Sequence, residues 1–166
     1  MEQPARFRDV YEMYSDMVYN LCLNYLQNRE DAEEATQDVF VKVYDKLSAF
    51  RSESSLKTWI YRIAVNHCHD RVKSRKRIWW KTLLTLDNGP ERAEFARFDH
   101  PGVQLEDREA LELLYRQINA LPEQQKTAII LRYLENLSPP EIAAIMSLSV
   151  KAVESLLQRG KLKLQG

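Results

Sequence analysis

The sequence predicts an all-α protein built of two small helical domains joined by a flexible linker, and three observations carry that prediction. Of 166 residues 45% are apolar, enough to bury a core, while only four are glycine, which argues against a loop-rich or β-barrel architecture. Apolar residues recur at helical spacing in two blocks. Between the blocks the period dissolves into turn signals. No run of about 18 apolar residues is present to span a bilayer, and "MEQPARFRDV" lacks the basic, apolar, small-residue order of a secretory signal. Cys22 and Cys68 both fall among apolar neighbours, as buried thiols in a reducing compartment do. The expected location is therefore the cytoplasm.

In the first block, Tyr14, Met17, Val18, Leu21, Cys22, Tyr25 and Leu26 repeat at helix spacing until "QNRED" breaks the pattern. Asn28 is placed to cap a second helix, with Glu30, Asp31, Glu33 and Glu34 crowding its positive end and Ala32, Ala35, Val39, Phe40, Val43 and Leu47 as its apolar stripe. After the polar "RSESS" a third helix turns Leu56, Trp59, Ile60, Ile63, Ala64, His67, Cys68 and Val72 inward and runs out into "RVKSRKR". This block is expected to be one domain, residues 1–77. Residues 78–104, with "DNGP" and "HPG", are the expected linker, long enough to favour two domains on a tether.

The second block, residues 105–166, opens with Leu105, Leu111, Leu114, Tyr115 and Ile118. "ALPEQQ" puts Pro122 in the first turn of a helix bearing Ala128, Ile129, Leu131 and Leu134. Ser138 caps a short helix beginning at Pro139, "SLS" turns the chain, and Ser149 caps a last helix whose Val150, Val153, Leu157 and Leu164 pack back. A short helix, a three-residue turn and a second helix have the proportions of a helix-turn-helix, with the small Ala143 at the crossing. Ser147 stands where a left-handed glycine is common, which costs on the order of 1 kcal/mol if that conformation is kept.

Zero net charge hides a segregated distribution. Residues 1–50 carry −5, residues 51–81 carry +7, residues 82–117 carry −4 and residues 118–166 carry +2. Such blocks are built to meet partners of different sign, or are solvated helix faces. The loop "RSESS", beside a helix rich in aromatic and basic residues, suits opened DNA: cations track phosphates while hydroxyls and amides hold an unstacked base. "HCH" at 67–69 offers metal-ligand types, but adjacent residues on a helix point about 100° apart and close no tetrahedral site. With no P-loop and no nucleophile beside a base, neither an enzyme, a cofactor, a metal nor a small-molecule substrate is expected. Two classes remain open from these residues alone: a stand-alone helix-turn-helix regulator with an N-terminal sensing or dimerisation domain, and a helical interaction module.

"DAEEATQDVFVKV", "FRSESSLKTWIYRIAVN" and "LSPPEIAAIMSLS", in this order, resemble regions 2 and 4 of an extracytoplasmic-function sigma factor of the sigma-70 family. The resemblance implies a sigma region 2 bundle and a region 4 helix-turn-helix that bind core RNA polymerase through its clamp helices and flap. It implies recognition of −10 and −35 promoter elements, DNA opening, transcription of a stress or envelope regulon, and an anti-sigma partner. Laid on residues, it implies polymerase docking by Asp31, Gln37, Asp38, Phe40 and Lys42. It assigns the −10 element to Ser52, Glu53, Ser54 and Ser55 as a base pocket, with Lys57, Tyr61, Asn66, His69 and Lys73 on the adjoining helix. The −35 element falls to Lys151, Glu154, Ser155, Gln158 and Arg159. Glu154 and Leu156 depart from the family's more basic "TVKSR"-like pattern, so Glu154 either accepts from a cytosine N4 or pairs along the helix with Lys151 or Gln158.

Overall fold

The computed structural model describes residues 3–51, 54–85 and 105–165. Ser52, Glu53 and the turn signals of the expected linker lie outside the described residues. Among the described residues the chain is helical with no strand: α1 (Gln3–Leu26), α2 (Arg29–Lys46), α3 (Leu56–Thr85), α4 (Leu105–Asn119), α5 (Glu123–Ile129), α6 (Pro139–Met146) and α7 (Val150–Gln165). A 3₁₀ turn, Leu47–Ala49, follows α2, and α5 widens into a π turn over Ile130–Leu134.

The α1–α2 hairpin forms where local chemistry demands it. Gln27 takes a left-handed φ of 61° and donates its N–H to Leu23 O at 2.7 Å, ending α1. Asn28 then accepts from the Asp31 N–H at 3.0 Å, the expected cap. The stripe expected on α2 is buried throughout, and it packs with Val18, Leu21 and Cys22 of α1 and Ile60, Ala64 and Cys68 of α3. Each fully buried Val, Leu or Ile here contributes roughly 1.5–3 kcal/mol. Cys22 and Cys68 are free thiols in this core, their sulfurs 3.6 Å apart. Trp59 is half-buried against Phe50, ring centroids 5.1 Å apart.

In the C-terminal unit Ser138 and Glu141 form a reciprocal capping box, and Ser149 Oγ accepts from the Ala152 N–H at 3.1 Å. Ser147 is left-handed, with φ 55° and ψ 44°, so the conformation expected of a glycine is kept by a residue with a Cβ. Gly160 on α7 lies against α5, where an added Cβ would stand 2.8 Å from Ile129 Cγ1. Three expectations need correction. Pro122 is the residue that caps α5 rather than part of its first turn, its carbonyl accepting from the Lys126 N–H at 2.9 Å. Leu114, expected inward, is exposed, while Tyr115 and Ile118 take the buried positions. Val150, expected to pack back, is exposed at the first position of α7.

The larger differences concern the linker. α3 continues about two turns beyond residue 77, because its Arg, Lys, Trp and Leu residues sustain a helix after its core neighbours have ended. The two units also do not hang apart: α3 packs against α6, and α1 against the π turn. Their seam is polar. Gln27 and Asn119 exchange a reciprocal pair of amide hydrogen bonds at 2.9 and 2.8 Å, and the Tyr25 and Thr127 hydroxyls share one at 3.0 Å. Buried polar groups cost free energy unless paired, so a seam of this composition holds only while its partners meet.

Candidate nucleic-acid interface

The helix-turn-helix presents one clean surface. Val153, Leu156, Leu157 and Gly160 face the core, so Lys151, Glu154, Ser155, Gln158 and Arg159 are all exposed on the opposite side of α7. All five residues expected to read a duplex are thus brought together. Leu156 departs from the family pattern for packing, since it is buried. Glu154 has no ion-pair partner among the described residues, so the Lys151–Glu154 pair is not made.

The −10 set is placed differently. Ser55 caps α3, accepting from the Thr58 N–H at 3.1 Å. Lys57 lies 3.9 Å from Glu141, the Tyr61 hydroxyl donates to Glu135 Oε2 at 3.4 Å, and His69 Nε2 meets Glu123 Oε1 at 2.7 Å. Three carboxylates of the C-terminal unit therefore contact three side chains expected to touch DNA. Arg62, on the same helix, donates through Nε to the Ala144 carbonyl at 2.9 Å. Tyr61 is only 3% exposed. Ser54 is half-buried, and Asn66 and Lys73 remain exposed. Contact of Tyr61 with DNA requires the units to part.

Two ionisable groups, the half-buried Glu135 and the buried Lys126, mark this seam. Glu135 accepts from Asn24 Nδ2 at 3.0 Å, and the Tyr115 hydroxyl donates to Asn24 Oδ1 at 2.9 Å; burial raises the carboxyl above its ordinary range despite those bonds. Lys126 is 7% exposed, with its ammonium 4.4 Å from the Tyr25 ring centroid. Burial, and then the charge of Lys76, push its pKa down to about 8. Burial likewise lifts Tyr25 to about 12 and Tyr61 higher still, the latter helped by Glu135. Neither Glu135 nor Lys126 carries a sequence signal, and Lys126 falls within a run, Gln125–Leu131, that is buried without interruption.

The expected polymerase set is divided between two faces. Asp31 pairs with Arg71 at 3.3 Å and with Arg75, while Asp38 stands 3.8 Å from Arg71. Lys42 Nζ donates to His67 Nδ1 at 3.0 Å. Burial, then the Lys42 charge, lower the His67 pKa, so the 3.4 Å approach of Nε2 to Asp38 involves a neutral ring at pH 7. These three residues tie α2 to α3, because the acidic first turn meets the basic stretch of the neighbouring helix. Gln37 and Phe40 face away, lining an open apolar groove with Phe7, Tyr11, Val41 and Tyr44. Tyr11 packs edge-on to Phe40 with centroids 4.8 Å apart, and Phe7 to Tyr44 at 5.2 Å. The i, i+4 spacing of Phe7 with Tyr11 and of Phe40 with Tyr44 was the available signal.

A three-helix unit with a basic third helix, followed by a helix-turn-helix with a free reading face, defines a two-domain promoter-recognition protein. The Sigma-70 region 2 family matches residues 10–78 and the Sigma-70, region 4 family matches residues 111–164. The chain is 31% identical over 160 residues to the ECF RNA polymerase sigma factor SigW of Bacillus subtilis, covering 93% of this chain and 84% of that protein. It is 33% identical over 158 residues to the ECF RNA polymerase sigma-E factor of Haemophilus influenzae, covering 93% and 83%. Its fold matches CnrH, solved in complex with the cytosolic domain of CnrY, with a TM-score of 0.68, 23% identity and coverage of 99% and 87%. It also matches the sigma factor RpoE, solved with the anti-sigma factor NepR from Bartonella quintana, with a TM-score of 0.69, 21% identity and coverage of 96% and 94%. The chain belongs to the extracytoplasmic-function sigma factors of the sigma-70 family, and it directs core RNA polymerase to promoters.

Proposed function

We propose that this sigma factor is held closed by its own C-terminal unit, with the −35 face of α7 open and the −10 face of α3 covered. The observation that carries this is the trio Glu123, Glu135 and Glu141 on His69, Tyr61 and Lys57. Carboxylates there occupy positions where phosphates and an unstacked base would otherwise be held. Core polymerase, docking on the groove of Gln37, Phe40, Val41 and Tyr44, draws the units apart so that Lys57, Tyr61, Asn66, His69 and Lys73 reach the −10 strand. Ser52–Ser55 form the base pocket, and Lys151, Glu154, Ser155, Gln158 and Arg159 read the −35 element. The chain supplies recognition and melting in the cytoplasm while polymerase performs the chemistry, so the chain itself is not an enzyme. An anti-sigma protein that stabilises the closed pair fits the same design; the sigma factor RpoE, of similar fold, has been solved with the anti-sigma factor NepR.

Transcription from a promoter library with core polymerase and this chain tests the assignment. New promoter-dependent starts are expected, accompanied by an increase in the distance between labels on α2 and α7 when core is added. Duplex binding without initiation would instead favour a stand-alone regulator, and an unchanged label distance during initiation would overturn the closed form.

A further inference from the structure

The last turns of α3 carry an exposed surface of which the assignments above use only Lys73. Residues 71–85 contain six cations and no carboxylate. Arg71 and Arg75 are engaged by Asp31 and Glu34, whereas Lys73, Lys76, Arg77 and Lys81 have no carboxylate partner among the described residues. Ile78, Trp80 and Leu84 are exposed, Trp80 to 56%. Trp79 braces Trp80 edge-to-face, with ring centroids 5.0 Å apart.

The order of these residues around the helix selects the partner. Lys73, Lys76, Arg77, Trp80 and Leu84 follow i, i+3, i+4, i+7 and i+11 spacing, so they share one exposed stripe. Asn66 and His69 continue the same stripe toward the bundle. A helix lying on a bilayer segregates its cations from its apolar face. Here they are interleaved, as on a surface that follows phosphates with cations and stacks an aromatic ring on a base. The stripe from Lys73 to Leu84 is roughly 16 Å long. That spans about five nucleotide steps. The family match ends at residue 78, so Trp80 lies beyond what the family defines.

We infer that the Lys73–Lys76–Arg77–Trp80 stripe is a second promoter contact, holding the DNA strand adjoining the −10 element by its phosphates and by stacking of the Trp80 indole. It rests on the assignment of α3 to the −10 element. In that arrangement the strand leaves the −10 pocket along α3 and remains held after opening.

A photo-crosslinking amino acid at position 80, in holoenzyme on an open promoter, is expected to form adducts with DNA within about five nucleotides of the −10 element. Adducts with polymerase alone, or none, would overturn the inference. The same probe at position 66 separates the two claims: DNA adducts from 66 without adducts from 80 retain the −10 face and remove its extension. Trp80→Ala should shorten open-complex lifetime several-fold while Trp80→Phe retains most of it. Lys76→Ala with Arg77→Ala should reduce the slope of log affinity against log salt by about 1.4–1.8. Unchanged lifetimes and slopes in variants with normal helicity would also refute it.

Discussion

The two faces proposed to contact DNA stand in opposite states. On α7, Lys151, Glu154, Ser155, Gln158 and Arg159 face solvent. On α3, Lys57, Tyr61 and His69 are held by Glu141, Glu135 and Glu123. On the proposed assignment the first face reads an intact duplex, whose groove edges are already on offer. The second would hold a base that leaves the stack only at a cost of a few kcal/mol. Covering the second face would then prevent the isolated chain from capturing single strands, while the first can stay uncovered.

The contrast can be broken hardest at Lys126. Its pKa falls to about 8 in the closed pair against an ordinary value near 10.4, a penalty on the order of 3 kcal/mol on closing while the ammonium is charged. Lys126→Met should therefore tighten closure and weaken −10 oligonucleotide binding by the free chain about a hundredfold at pH 7. The sign fixes the pH arm as well: a depressed lysine pKa penalises the closed form in full below about 8. The penalty fades between that value and about 10.4. Closure of the wild-type chain should tighten as pH rises through that window, read as weakening −10 oligonucleotide binding, and the Met variant should not respond there.

Glu135→Ala acts in the opposite direction. It removes the acceptor of Asn24 and Tyr61 at the seam, costing about 1–3 kcal/mol, so −10 oligonucleotide binding should strengthen by about tenfold or more while −35 duplex binding stays constant. Glu135→Gln keeps an acceptor and removes the buried charge, and it should stay closed. Equal opening by both variants in a fluorescence titration would contradict a hydrogen-bonded seam.

The open face can be sharpened at Glu154. With no Lys151 pair to lose, Glu154→Ala should reduce discrimination at a single −35 position by about 1–3 kcal/mol, measured by selection from randomised −35 elements. A uniform change across positions would assign Glu154 to the helix rather than to a base. The smallest effect belongs to Ser147, whose left-handed φ of 55° suits glycine: Ser147→Gly should stabilise the C-terminal unit by about 1 kcal/mol and raise its Tm without altering base preference.

The helices and their caps were legible because they are local. Asn28, Ser138 and Ser149 cap where their side chains were expected to, and the α2 stripe is buried residue for residue. The exposed polar face of α7 followed from the same periodicity. The seam was not legible, since Glu135 and Lys126 are residue types that normally remain in water, and only the meeting of two distant segments buries them. Asp31, Asp38 and Lys42 look like a docking patch in one dimension, but the basic residues of α3 that claim them lie 25–44 positions further on. The end of α3 was not legible because an apolar period reports a core neighbour rather than a helix, and the helix outlasts its core.

The π turn at Ile130–Leu134 has a consequence for how sequence length is tolerated. An extra residue in a helical turn advances everything downstream by about 100°. Here that advance sets which way Glu135 points and where the chain to α6 sets off, with Glu135 N–H bonded to Ile130 O and Leu137 N–H to Leu131 O. Deleting one residue between 130 and 134 would restore a regular helix and turn Glu135 from the α1–α3 side. Such a deletion should release the −10 face with no change at any DNA-reading position, visible as oligonucleotide capture by the free chain. Chain register, separate from side-chain identity, thus becomes a means by which a lineage could retune its threshold for activation.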